Sequence, residues 1–124
     1  MHTDIQAVLA DHPGLLHRAR FVRMRFDIRS PSASLRVEVD GPRVRAELVD
    51  AASTPEPPDF SLEAGDGAWE EFSRPLPQPG FHDLLALLGE GHARFEGDGL
   101  RFYTHLFLVK GIVAAVFRKE GAVW

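Results

Sequence analysis

The sequence predicts a single α+β domain, and three observations carry that reading. Residues 20–49 alternate apolar and polar side chains with a period of two, which is a strand pattern. Residues 81–88 and 99–118 space their apolar side chains as helices do. The proline-rich stretch DAASTPEPPD, residues 50–59, reads as a surface loop, because neither flank is a complete domain. At 124 residues, with 44% hydrophobic and 26% charged content, the chain fits one domain, 1–124, able to bury an ordinary core. Its lack of cysteine excludes a disulfide framework, a thiol nucleophile and a cysteine zinc site. It also agrees with a reducing compartment, so a cytoplasmic location is expected. The opening MHTDIQAVLADHPG has no basic segment ahead of a long apolar run and does not read as a signal peptide. The longest nearly apolar run, LFLVKGIVAAVF, holds a lysine and falls short of the roughly 20 residues a membrane span needs, so stable membrane insertion is not expected.

In chain order, Thr3 with Gln6 resembles a capping box, and Ile5, Val8 and Leu9 give a short helix over 3–12 that Pro13-Gly14 ends. Strands follow near residues 20–29, 34–40 and 43–49. In FVRMRFDI, Val22, Met24, Phe26 and Ile28 form one face and Arg23, Arg25 and Asp27 the other. A two-residue loop at Gly41-Pro42 pairs Asp40 with Arg43, Glu38 with Arg45 and Arg36 with Glu47, each pair opposite in sign. An Asp40-Gly41 loop would set Arg36 against Arg45, so cross-strand electrostatics favour the first register. DFSLEA supplies a fourth strand, and GDGAWEEF a short helix with Trp69 and Phe72 three apart. RPLPQPG breaks the chain. FHDLLALL places Phe81, Leu84, Leu85 and Leu88 at helical spacing, and GHARFEGD is a fifth strand running into the last helix.

Charge and chemistry narrow the function. Eight arginines lie between Arg18 and Arg45 against Asp27, Glu38 and Asp40, within a chain of net charge -4. A basic face of this kind can bind phosphate, but the strand pattern turns most of these arginines into a solvated, self-paired face. No nucleic-acid partner is expected. The histidines at 2, 12, 17, 82, 92 and 105 include no i,i+4 pair of the helical zinc type, so no metal is expected. Glu96 and Asp98 could share acid/base work, but beside Gly97 and Gly99 they read better as a turn with a helix-capping aspartate. There is no nucleophile elbow and no phosphate-cradling glycine loop. The residues do not advertise an enzyme, and no cofactor is expected.

The order of these elements, with Asp59 at a strand start, Trp69 on a helix, the Phe81 to Leu88 helix, and Gly97-Asp98 closing a strand before an apolar last helix, resembles the sterol carrier protein type 2 domain. The resemblance covers about residues 20–118. It implies an α+β fold in which a roughly five-stranded, largely antiparallel sheet is covered by helices. It also implies a tunnel between sheet and helices for a sterol, fatty acid or acyl chain, and it carries over no catalytic residue.

The last helix sharpens the question of what lies beside it. On a wheel of 100° per residue, Phe102, Leu106, Val109, Val113, Val116 and Phe117 form one arc, the face expected on the sheet. Thr104, Gly111 and Ala115 form a trough on the far side, flanked by Leu100 and Phe107 and by Leu108 and Ile112. A mid-helix glycine costs about 1 kcal/mol relative to alanine, so something is expected against it. The occupant is the Phe81 to Leu88 helix, an apolar ligand, or another chain. In a ligand-binding module the apolar walls are Phe81, Leu84, Leu85, Leu88, Phe95, Phe102, Leu106 and Phe107, with Arg101, Tyr103 and His105 at the mouth. The partner is then a lipid or other apolar small molecule. In the alternative, the terminal helix makes a homodimer or docks on a partner enzyme.

Overall fold

The computed structural model describes residues 1–50 and 56–118. Helices α1 (Ile5–Ala10) and α2 (Pro13–Ala19) precede strands β1 (Arg23–Arg29), β2 (Ser34–Asp40), β3 (Arg43–Leu48) and β4 (Phe60–Ala64). Helices α3 (Asp66–Phe72) and α4 (Leu84–Gly89), strand β5 (Ala93–Gly97), and helices α5 (Gly99–Thr104) and α6 (Leu106–Phe117) complete the order. The five strands form one sheet in the order β3-β2-β1-β4-β5. All neighbours are antiparallel except β1 and β4. This is the expected α+β class, with a mixed but mostly antiparallel sheet.

The register follows the charge pattern. The β2–β3 hairpin turns at Gly41-Pro42 and pairs Asp40 with Arg43, Glu38 with Arg45 and Arg36 with Glu47. Gly41 has φ 61, the positive value that glycine supplies without steric cost. The ladder continues onto β1, where Arg23, Arg25 and Asp27 face Asp40, Glu38 and Arg36. The parallel β1–β4 pair is pinned at its start by Asp59, whose N–H donates to the Arg25 carbonyl at 2.8 Å and whose carboxylate accepts the Arg25 N–H at 2.9 Å. At the same end, where Gly97 of β5 pairs with Phe60, only glycine fits. A Cβ on Gly97 would lie 2.6 Å from the Asp59 carbonyl oxygen, and its φ is 118. Asp98 then caps α5 by accepting the Arg101 N–H at 3.0 Å, as the sequence suggested.

One face of the sheet carries the core, and α6 lies buried within it. Val109, Ile112, Val113, Ala115 and Val116 of α6 are all fully enclosed. Trp69 of α3 stacks on Phe117 with ring centroids 4.5 Å apart and donates its indole N–H to the Arg29 carbonyl at 2.9 Å.

Three local expectations are corrected. Pro13-Gly14 does not end helical structure: Asp11 and His12 make a short break, and Pro13 then opens α2 at its first position, where its missing N–H is no loss. Gln6 does not close a capping box, because its side-chain oxygen accepts the Val44 N–H at 2.8 Å and so ties α1 to β3. The last helix is not continuous. It breaks at His105, with φ -112 and ψ 29, into α5 and α6.

The trough is filled, but not by the Phe81 to Leu88 helix. Leu15 of α2 seats on Gly111 so closely that a Cβ there would lie 2.5 Å from one Leu15 methyl and 2.9 Å from the other. The mid-helix glycine is therefore a close-packing residue between α6 and the helix that the proline begins.

Candidate functional site

The residues expected to wall a ligand site come together only in part. Phe60 of β4 stacks on Phe26 at 4.9 Å and on Phe95 at 5.6 Å, and meets Phe102 edge-on at 5.4 Å. Phe95 and Phe102 are themselves 4.9 Å apart. Phe102 and Leu84 are fully buried, whereas Phe81, Leu88, Phe95 and Leu106 are half-buried and pack against the core. These four residues, from β5, from α4 and the segment just before it, and from the α5–α6 corner, make up the partly buried apolar strip.

Leu85 and Phe107 stand apart from that strip. Helix α4 begins at Leu84 with Asp83 as its cap, so Phe81 lies outside the helix and a wheel anchored on it is rotated. Leu84 and Leu87 consequently take the buried face, Leu88 packs beside them, and Leu85 is half-buried outside the core cluster. Leu87, spaced three from Leu84, was legible as a core candidate once the helix start was known. Phe107 is 59% exposed and lies under the Arg18 guanidinium, 5.2 Å from its ring centroid, on the α2 side.

The three mouth candidates separate as well. Arg101 donates to the Arg23 carbonyl at 2.8 Å and stands 3.9 Å from the Asp98 carboxylate. Tyr103 is 63% exposed and its ring meets Phe102 edge-on at 5.0 Å. His105 sits half-buried at the helix break.

Polar groups that the sequence reading did not single out join α4 to α6. The Lys110 ammonium is 2.8 Å from the Asp83 carboxylate, with their side chains 16% and 25% exposed. The other Asp83 oxygen accepts the Leu85 N–H at 3.1 Å. Arg118 lies over the Phe72 ring at 4.0 Å and donates to the Phe72 and His82 carbonyls. Burial holds its pKa below the usual arginine value, and the nearby Asp83 carboxylate partly offsets this. Phe81 stacks on His92 at 4.1 Å.

The opposite, charged face of the sheet is only partly the solvated face expected. Asp27 and Arg36 are buried, at 3% and 6% exposure, joined by two hydrogen bonds of 2.8 and 3.2 Å. Arg36 also donates to the Glu56 carbonyl at 2.8 Å, and Arg25 pairs with the Glu56 side chain, so residues at 56–59 close over the middle strands. Arg36 therefore answers Asp27 across the β1–β2 pair. Its pKa is raised, chiefly by its hydrogen bond with Asp27. Nearer the sheet ends the arginines do stay in water, as with Arg23 and Asp40 at 3.3 Å.

Surface clefts lie elsewhere. One of about 290 Å³ is lined by Thr3, Gln6, Arg36 and Glu47 among others. A second of about 400 Å³ lies over the charged ladder around Arg25 and Glu38, with charges of both signs. A third of about 330 Å³ lies between the β1–β2 turn and α3, around Ser32, Asp66 and Trp69. Among the described residues, no three His, Asp or Glu side chains group so as to hold a metal, and no helix is long and apolar enough to cross a membrane.

A five-stranded mixed sheet with helices packed on one face, the last of them buried, defines the class. No protein-family model and no curated protein matches the sequence. Solved structures do match in shape. TT1886, a conserved hypothetical protein of Thermus thermophilus whose description raises sterol carrier protein as its identity, superposes with a TM-score of 0.62 at 12% identity. That match covers 98% of this chain and 89% of that one. The sterol carrier protein domain 2 of Helicoverpa armigera gives 0.57 at 12% identity, over 89% and 81%. The inverting sec-alkylsulfatase Pisa1 of a Pseudomonas species gives 0.53 at 12% identity, over 75% of this chain but 14% of the sulfatase. The chain thus has the sterol carrier protein type 2 fold.

Proposed function

We propose that this domain binds an apolar ligand, a sterol, fatty acid or acyl chain, between β5, α4 and the α5–α6 corner, without catalysing a reaction. The half-buried strip of Phe81, Leu88, Phe95 and Leu106 carries the reading. Those side chains border a fully closed core, yet keep part of their apolar surface open in a fold shared with sterol carrier domains. Apolar lining with few polar groups is what such a ligand needs. These side chains pack against the core, so uptake moves α4 away from β5. That movement breaks the Phe81–His92 stack and the Lys110–Asp83 pair rather than any part of the sheet.

Two measurements test this. Lipid extraction followed by native mass spectrometry of the purified chain should find a co-purified apolar ligand, and displacement of a neutral apolar fluorophore should show competitive uptake. Leu88→Arg and Phe95→Glu should abolish displacement while the fold is retained. A chain that carries no lipid, displaces no probe and forms a stable dimer refutes the reading.

That last outcome favours a second reading, an accessory domain that docks on another chain. Its support is the exposed row of Leu100, Tyr103 and Phe107, at 81%, 63% and 59%, and the sulfatase in which a domain of this shape is one part of a much longer chain.

A further inference from the structure

We propose that Lys110 selects a single-chain amphiphile with a carboxylate headgroup, by exchanging its ion pair with Asp83 for one with the ligand. The proposal rests on the apolar-ligand reading and specifies the ligand class for the same strip. Every other side chain of α6, LFLVKGIVAAVF, is apolar or absent. An ammonium at this position is held in a place where an apolar residue would pack, with only 16% of its side chain exposed. Desolvating a lysine and an aspartate to pair them returns little net stability, so the pair is a weak reason by itself for the lysine.

Asp83 does not depend on the pair either. Its second oxygen caps α4 through the Leu85 N–H, a task that asparagine performs as well. The ion pair stands where α4 meets α6, with Leu106 one helical turn before Lys110 and Phe81 two residues before Asp83. Opening α4 to admit a ligand separates the two charged groups and leaves the ammonium facing the entering headgroup. A carboxylate then replaces Asp83 in kind, whereas an alcohol of the same chain length leaves the ammonium without a charged partner. Of the other cations nearby, Arg101 is already turned to Asp98 and the Arg23 carbonyl, and Arg118, which also lies near Asp83, is held by the Phe72 and His82 carbonyls.

The experiment compares palmitic acid with 1-hexadecanol as competitors for Nile red bound to the intact chain, in the wild type, Lys110→Gln and Asp83→Asn. The acid should bind the wild type about tenfold or more tighter than the alcohol, as one charge-assisted hydrogen bond implies. Lys110→Gln should erase that preference without weakening hexadecanol binding, which also shows that the variant is folded. Asp83→Asn keeps the helix cap, removes the competing carboxylate and should tighten palmitate binding. Equal binding of acid and alcohol to the wild type, or a Lys110→Gln variant weakened toward both, overturns the proposal and makes the pair a structural clasp. Failure of both competitors to displace the probe from the wild type overturns the apolar-ligand reading itself.

Discussion

The two ends of the sheet are covered by short helices of similar length, yet they are packed to different degrees. At the β3 end, α1 and α2 bury Ile5, Leu9, Leu15 and Ala19 against β3 and α6, with Val8 and Leu16 half-buried beside them, and Gln6 bonds directly to the backbone of β3 at Val44. At the β5 end, α4 buries Leu84 and Leu87, but Leu85, Leu88 and their neighbours Phe81 and Phe95 stay half-buried. Leu15 interlocks with a glycine that leaves it no spare room, whereas Lys110 and Asp83 hold α4 to α6 through an exchangeable ion pair. Tight small-to-large packing makes one end a scaffold. Partial burial and a polar clasp make the other the end that can open.

Substitutions that probe each end break or sharpen this contrast. The largest effect is expected from Phe60→Ala, because Phe60 touches Phe26 of the middle strand on one side and Phe95 and Phe102 on the other, and so joins the centre of the core to the β5 end. Denaturant unfolding should show a loss of about 3 to 5 kcal/mol. A loss below about 1 kcal/mol would mean that the β5 end does not share that core.

Gly111→Leu comes next. Leucine is the better helix former by about 1 kcal/mol, but the new side chain collides with buried Leu15, and overpacking typically costs about 1 to 3 kcal/mol. The melting temperature should fall, and pairing the substitution with Leu15→Ala should recover part of the loss. An unchanged melt contradicts the scaffold role of α2.

Phe95→Ala should cost less than Phe60→Ala, about 1 to 2 kcal/mol, because its side chain is only partly buried. Equal losses for the two phenylalanines would erase the distinction between the ends.

The smallest effect lies at Asp66, whose carboxyl is held below its usual range first by the Ser32 hydroxyl, which donates at 2.7 Å, and then by Ser30. A depressed folded-state pKa gives stability that is complete above the unfolded value, about 3.9, and lost as pH falls through the folded one. Asp66→Asn should lower neutral stability slightly, leave stability at pH below the folded value nearly unchanged, and so flatten the acid limb of a stability-against-pH curve. A steeper acid limb in the variant contradicts the assignment.

Much of the architecture was legible because it rests on local patterns. Period-two alternation located β1 to β3, and pairing opposite charges across Gly41-Pro42 chose the correct hairpin register over its neighbour. Asp98 read correctly as a cap because aspartate before a helix has a local hydrogen-bond partner in any context. The candidate site was less legible. The helical wheel of 81–88 assumed that the helix included Phe81, and a start three residues later turned Leu85 away from the core and Leu87 into it. The arginine-rich face was read strand by strand, which could not show that residues at 56–59 fold back and bury Arg36 with Asp27.

By itself, the sequence determined the α+β class, the strands, the hairpin register and the apolar character of the last helix, because each depends on residues within a few positions of one another or across one tight turn. Tertiary structure alone decided that β4 lies parallel to β1, that Pro13 begins a helix, that Leu15 fills the groove at Gly111, and that Lys110 meets Asp83. The contacts among these outcomes join residues from 27 to 96 positions apart, and the choice among many such encounters is made by the packing of the whole core rather than by any local preference.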